Sequence, residues 1–264
     1  MNKYTLLTGA SSGIGLEYAH VLAANGHNLL LVARRKERLD ELKNELCDKY
    51  QINCLILPLD LTEPDSHKQI RSFVKEKNVF INCIINNAGM GLFEYLHKMN
   101  EDQIRKLMYL NMQAPTLITR EFLPEMLEKG EGAIQFIASI AGYLPTPLYS
   151  IYGATKAYLK NFGISLHYEL KETPIKVNVL NPGVTKTEFF KKANQNNSWV
   201  QRVQMMSAKR CAEISYTALK KNKDSVLPGF INNYTVYVLL KFTPLFLQAR
   251  MIMQDLMKSN ERSL

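Results

Sequence analysis

Seven short apolar runs, at residues 4–7, 28–32, 53–57, 82–85, 133–138, 176–180 and 225–227, are separated by longer stretches of helical periodicity. This alternation leaves few folds open. Runs rich in Leu, Ile and Val without polar alternation need apolar cover on both faces, which parallel strands obtain from their crossover helices. Helices are expected at about 13–25, 36–50, 64–76, 100–128 in one or two pieces, 150–171 and 208–221. Right-handed crossovers then give an α/β fold of three layers, α/β/α, around a doubly wound, seven-stranded parallel sheet. The stretch 185–207 shows no strand and few helix signals, so it reads as a substrate lid over the carboxyl ends of the strands, where such sheets bind ligands. With 264 residues, 46% of them hydrophobic, and no linker-like or repeated segment, the chain is expected to form one domain over 1–264.

The first expected strand runs into Thr8-Gly9-Ala10-Ser11-Ser12-Gly13-Ile14-Gly15, a glycine turn that opens a helix. Gly9 permits a tight turn, Gly13 lets backbone amides approach a pyrophosphate, and Gly15 lets helix pack on strand. The glycines do not follow the GxGxxG order of other dinucleotide folds, and a plain strand-to-helix loop has the same composition. Its place directly between strand and helix points to a Rossmann-type dinucleotide site that would include Ser11, Ser12 and Ile14. The second strand ends in Ala33-Arg34-Arg35, where a ribose without a 2′-phosphate would need a carboxylate. The planar donors of Arg34 and Arg35 suit the 2′-phosphate of NADP(H), with the Ser11 and Ser12 hydroxyls as further donors. The same arginines also suit the start of a solvated helix. Asp60, in Leu59-Asp60-Leu61, can accept from the adenine amine or cap the helix near Pro64. Asn86-Asn87-Ala88-Gly89 can line the adenosine with backbone groups or form an ordinary turn.

Tyr152-Gly153-Ala154-Thr155-Lys156 lies near the start of an expected helix, so phenol and ammonium share one face. Tyr216 with Lys220 and Tyr237 with Lys241 have the same spacing, but neither pair follows a strand that ends in a polar group. Tyr152 does. The fifth strand ends at Ala138-Ser139, and Gly142, Pro145 and Pro147 bend the chain between. A carbonyl that accepts hydride also needs a proton, and a phenol of pKa ~10 is a poor acid-base catalyst near neutrality. Lys156 is expected to lower that pKa and to donate to the nicotinamide ribose, while Ser139 holds the substrate oxygen beside the phenol.

The TGASSGIG turn, NNAG, Asn111 in Leu110-Asn111-Met112, Ser139, YGATK and Asn181-Pro182-Gly183 stand in an order and spacing that resembles the short-chain dehydrogenase/reductase family, from Thr8 to about Thr187. The resemblance implies a catalytic set of Asn111, Ser139, Tyr152 and Lys156, in which Asn111 bends its helix and holds a water that links the lysine to solvent. It further implies that the turn Pro182-Gly183-Val184-Thr185-Lys186-Thr187 holds the nicotinamide carboxamide through backbone near Thr185 and the Thr187 hydroxyl. Family members usually dimerise through the helices matching 100–128 and 150–171, so a homodimer or homotetramer is expected. The implied activity is NADP(H)-dependent hydride transfer to or from a carbonyl or alcohol. A non-catalytic NADPH sensor or scaffold on the same fold is the alternative.

In the lid, Phe189, Phe190, Trp199, Val203, Met205 and Met206 suit the walls of an apolar substrate pocket, as do Tyr143, Leu144 and Leu148 after Ser139; all could equally be core or dimer contacts. After Pro228-Gly229-Phe230 an apolar helix is expected at about 234–248, similar to a subgroup of reductases in the family. Lys241 and Pro244 interrupt it, and it is too short to span a bilayer. Cover for the pocket or dimer surface is favoured over peripheral contact with a membrane. The excess of nine Lys and Arg over Asp and Glu is spread along the chain with no nucleic-acid motif, so no nucleic-acid partner is expected. Cys47, Cys54, Cys83 and Cys211 form no CxxC pair and have no histidine at metal-ligand spacing, which points to free thiols, no metal and a reducing, cytoplasmic setting. The first strand begins almost at Met1, so no leader is expected.

Overall fold

The computed structural model describes residues 1–193, 205–229 and 240–261. The chain runs β1 (Asn2–Thr8), α1 (Gly13–Ala24), β2 (Leu29–Ala33), α2 (Lys36–Tyr50), β3 (Cys54–Pro58), α3 (Ser66–Glu76) and β4 (Val79–Asn86). It continues through α4 (Glu101–Met108), α5 (Ala114–Lys129), β5 (Gly132–Ile137), α6 (Ser150–Glu169) and β6 (Ile175–Leu180). Beyond β6 come β7 (Thr185–Lys186), α7 (Phe189–Lys192), β8 (Met206–Ser207), α8 (Ala208–Lys220), β9 (Ser225–Val226) and α9 (Leu245–Glu261). Seven strands form one sheet in the order β3-β2-β1-β4-β5-β6-β9, with every neighbouring pair parallel. This is the doubly wound α/β arrangement expected from the alternating runs.

Both faces of the sheet are buried. On one, Leu6, Ile84, Phe136 and Val179 meet Ile70 of α3, Phe122 of α5 and Leu159 of α6. On the other, Leu7, Ile85, Ile137 and Leu180 meet Leu22 of α1, Leu46 of α2 and Cys211 of α8. Consecutive residues such as Leu6 and Leu7 thus enter opposite cores, which is why the strands read as unbroken apolar runs. The helix expected at 100–128 is divided by a π-helical turn, Tyr109–Gln113, that carries Asn111. Its start is fixed by Asn100 and Gln103, whose side chains each accept from the other's backbone amide.

Two expectations from the sequence do not hold. The stretch 185–207 does contain strand, because β7 pairs in parallel with β8, placing Thr185 opposite Met206 and Lys186 opposite Ser207. Strands of two residues carry no periodicity to read, and the fold alone brings them together. The apolar C-terminal helix does not occupy 234–248. After a single turn, Leu240–Phe242, α9 starts at Leu245 behind Pro244 and ends at Glu261. Proline suits that position, since it has no N–H to give to a preceding helix and its fixed φ favours a helix start. The rest of the expected span, 234–239, lies outside the described residues. Among the described residues no helix is long and apolar enough to cross a membrane.

The apolar run of β5 is broken by Gln135, which is wholly buried. Its Oε1 accepts from the hydroxyls of Tyr18 and Ser215, and its Nε2 donates to Asn178 Oδ1 and to the Ser215 carbonyl. One amide therefore ties α1, β5, β6 and α8 together in a dry core. Gln135→Leu keeps the volume but takes the partner from Asn178 Oδ1. It is expected to cost about 2–4 kcal/mol, or a fall in Tm of roughly 5–10 °C in thermal unfolding. An unchanged Tm would show that the network adds no stability.

Candidate active site

The strand order reverses between β1 and β4, and the crevice at their carboxyl ends opens into a cleft of about 700 Å³. Gly9 and Gly13 have φ of +67° and +60°, the left-handed region that glycine adopts without strain. A Cβ on Gly9 would stand 2.8 Å from Asn87 Nδ2, and one on Gly15 would stand 2.3 Å from the Gly9 carbonyl oxygen. Asn87 Nδ2 donates to the Thr8 and Gly9 carbonyls at 2.9 and 3.2 Å, and Thr8 Oγ1 accepts from the Asn87 and Ala88 amides at 3.0 Å each. Of the residues assigned to a cofactor from the sequence, Gly15 does not line the cleft, nor does Asn86, which is buried and donates to Thr119 Oγ1. The part of Gly15 is to let α1 pack against the turn.

The arginines after β2 do not simply enter solvent. Arg35 Nη2 donates to Ser11 Oγ at 3.0 Å and to the Ser11 carbonyl at 3.3 Å, while Arg34 Nη1 lies 3.6 Å from Asp60 Oδ2. Asp60 does not cap a helix, because α3 begins at Ser66 and Asp60 Oδ1 accepts from the amide and hydroxyl of Thr62, both at 2.9 Å. Glu188, between β7 and α7, reaches Arg35 and Arg38. No periodicity or motif marked Glu188 or Arg38.

At the other end of the cleft, Ser139 follows β5, and Tyr152 and Lys156 share one face of α6. The Ser139 hydroxyl accepts from the Ala141 amide at 3.1 Å and is hydrogen-bonded to the Tyr152 phenol. Lys156 Nζ donates to the Ile137 carbonyl at 2.7 Å and stands 5.8 Å from the centre of the Tyr152 ring. Asn111 Nδ2 donates to the Met90 carbonyl and to Thr155 Oγ1, and its Oδ1 accepts from the Met90 amide. A Cβ on Gly89 would lie 3.3 Å from both Asn111 Oδ1 and Lys156 Nζ, so the two groups converge on Gly89. The π-helical turn turns Asn111 inward to do this, in keeping with the occurrence of such turns at functional sites.

The charge balance here differs from the expectation. Burial pushes the Tyr152 phenol up to about 12, and the Ser139 hydrogen bond offsets only part of that. Burial also brings the Lys156 ammonium down to about 8. Desolvation opposes both charged forms, and the Lys156 ammonium is turned onto the Ile137 carbonyl. The decoy pair Tyr216 and Lys220 has another purpose, since the Tyr216 hydroxyl lies 3.1 Å from His27 Nε2 and away from the cleft. Tyr237 lies outside the described residues.

Phe189 and Phe190 line the cleft, together with Met90, Thr146 and Tyr149, which the sequence did not single out. Phe93, Tyr149, Tyr152, Phe189 and Phe190 form a chain of rings with successive centres 5.3, 5.8, 5.3 and 5.5 Å apart. Phe189 also fills the space over Gly91, where a Cβ would come within 2.6 Å of its ring. Tyr143, Leu144, Leu148, Met205 and Met206 do not line the cleft. Tyr143 lies beneath Lys160 Nζ, 4.0 Å from its ring centre, and Met206 belongs to β8. Trp199 and Val203 lie outside the described residues. The Thr187 hydroxyl accepts from the Phe189 amide at 3.3 Å, and Thr185 Oγ1 donates to the Gly183 carbonyl at 3.0 Å.

The family model described as short chain dehydrogenase matches residues 3–198. The chain is 31% identical to the very-long-chain 3-oxoacyl-CoA reductase of Bos taurus over 196 residues, which is 72% of this chain and 62% of that protein. It is 34% identical to a sulfoacetaldehyde reductase of Chromohalobacter salexigens over 191 residues, 72% of this chain and 75% of the other. A solved short-chain dehydrogenase from Sphingobium yanoikuyae, in complex with NADPH, superposes with a TM-score of 0.81 at 31% identity, covering 97% of this chain and 96% of that one. The chain belongs to the short-chain dehydrogenase family.

The buried Lys156 gives a test with a definite sign. Its pKa in the fold lies near 8, below the unfolded value, so burial of the charge opposes folding. That penalty is full below about pH 8 and is relieved as pH rises toward ~10.4. Lys156→Met is therefore expected to raise Tm at neutral pH, by a margin that shrinks in alkaline buffer, while lowering turnover at least ~100-fold. A lower Tm at both pH values would show that the Ile137 hydrogen bond outweighs desolvation.

Proposed function

We propose that the chain is an NADP(H)-dependent oxidoreductase that moves hydride between the nicotinamide and a largely apolar carbonyl or alcohol. The observation that carries this reading is one continuous cleft with a glycine turn and paired arginines at one end and the Ser139, Tyr152 and Lys156 set at the other. The residues present fit a dinucleotide. The N-terminus of α1 opens onto the cleft with partial positive charge for a pyrophosphate. Gly89 leaves the approach to Lys156 and Asn111 clear of side chain. Arg34, Arg35 and Ser11 offer donors suited to a 2′-phosphate, and the NADPH complex of the similar Sphingobium enzyme supports that choice.

When bound, the reduced nicotinamide supplies the hydride. The chain's own residues manage the substrate oxygen and its proton. Ser139 holds the oxygen beside the phenol, and Tyr152 delivers a proton to it. A phenol held near 12 keeps its proton at neutral pH until the oxygen acquires charge and becomes the stronger base, which suits a general acid. Lys156 and Asn111 meet at Gly89, a position from which they can fix the ribose and resupply the proton. The rings of Tyr149, Phe189 and Phe190 favour an apolar group on the carbonyl carbon. Self-association through the outer faces of α5 and α6 is part of the proposal, since Leu127 and Tyr158 are each 40% exposed there.

NADPH oxidation across a panel of ketones and aldehydes tests this directly. Turnover is expected to be fastest on apolar carbonyls, and Tyr152→Phe is expected to lower kcat at least ~100-fold while NADPH binding persists. Phe189→Ala, which opens the space over Tyr152, is expected to shift kcat/KM about tenfold toward bulkier ketones. NADPH binding without turnover on any carbonyl by the unaltered protein would overturn the reading.

A further inference from the structure

We propose that Glu188 is the internal counter-anion of the phosphate subsite: it holds Arg35 and Arg38 until a 2′-phosphate displaces it, and so sets how tightly NADP(H) is held. The inference rests on the reading of the cleft as an NADP(H) site. Arg35 is oriented by Ser11 through Nη2, and its Nη1 lies 3.6 Å from Glu188 Oε2. The other carboxylate oxygen accepts from Arg38 Nη1 at 3.1 Å. Both arginines stand at the start of α2, whereas Glu188 comes from the far side of the cleft, next to Thr187, whose side chain would lie 3.3 Å from a Cβ on Gly13. A carboxylate that lines the cleft thus already sits at Arg35, one of the donors suited to the cofactor's phosphate.

Two anions cannot share these donors without mutual repulsion, so one must yield. Glu188 is the weaker holder. Its side chain is 43% exposed and its partners 36% and 45%, and ion pairs this open to water are weak and screened by salt. A phosphate brings more charge and more acceptor oxygens to the same fork. A nucleotide with a free 2′-hydroxyl brings no anion to this fork and leaves Glu188 where it is. The carboxylate therefore lowers affinity for NADP(H) selectively, and it returns to the arginines as the cofactor leaves.

Titration calorimetry at low ionic strength, with NADP+, 2′-AMP and NAD+ as probes and no substrate, tests the proposal. Glu188→Gln is expected to bind NADP+ and 2′-AMP about three- to tenfold more tightly, with NAD+ unchanged and the gain reduced by added salt. Glu188→Asp, whose shorter carboxylate cannot span both arginines, is expected to fall between and guards against misfolding of the first variant. Equal or weaker NADP+ binding by Glu188→Gln would overturn the proposal, and weaker binding would mean that the carboxylate clasps the bound cofactor. A wild-type preference for NAD+ over NADP+ would instead overturn the cofactor assignment itself.

Discussion

The side chains of Thr8 and Asn87 lash the carboxyl ends of β1 and β4 together at the point where the strand order reverses. Parallel strands that part here would leave a crevice of no fixed shape. Asn87 closes the Gly9 turn from the side while Thr8 receives two amides from the β4 end, so the turn and the NNAG segment form one rigid corner. Gly9 and Gly15 are required by that closeness, because a methyl group at either would collide with Asn87 or with the turn's own carbonyl. The α1 N-terminus, the arginines after β2 and the path to Gly89 all take their positions from this corner.

The catalytic end is built on the opposite principle, in which groups are held where they are electrostatically uncomfortable. Lys156 is 5% exposed and carries its charge in a place that disfavours it, and the half-buried Tyr152 lies beside it with its phenol likewise desolvated. The Ile137 carbonyl and the Ser139 hydroxyl offset part of this, and Thr155, one residue from Lys156, ties α6 to Asn111. Gly142 lets the loop after Ser139 press against the backbone of Lys156, where a Cβ would stand 2.8 Å from its carbonyl oxygen. On the proposed reading, stability is given up locally to fix acid and cation in advance, a pattern common to functional sites.

Most of this was legible in the sequence, for identifiable reasons. Strands buried on both faces produce runs such as Leu29 to Val32 that only a covered parallel sheet explains, and α2 appears at 36–50 as its periodicity indicates. Tyr152 was separable from Tyr216 only because Ser139 ends a strand shortly before it; in the fold Tyr216 bonds His27. What escaped depends on contacts between distant segments. The β7 and β8 pair is too short for any period, the C-terminal helix is displaced by Pro244, and Glu188 looks like any charged loop residue until Arg35 and Arg38 are seen across from it. The direction of the Tyr152 shift was also beyond the sequence, since it is set by burial.

The segment 185–193 is what joins the two ends. Thr185 is pinned by its pairing with Met206, and Ala193 by the Phe93 amide, which donates to its carbonyl at 3.0 Å. Between these pins Glu188 reaches the arginines beside the glycine turn, and the next residue, Phe189, lies against Tyr152 and Gly91. Adjacent residues therefore touch opposite ends of the cleft, and a backbone shift that releases one must move the other. The ion pairs made by Glu188 are half-exposed and therefore weak, whereas the strands beneath carry their apolar side chains into two buried cores. On the proposed reading this one short segment borders both the phosphate and the substrate end of the cleft, so the two ends are coupled through its backbone.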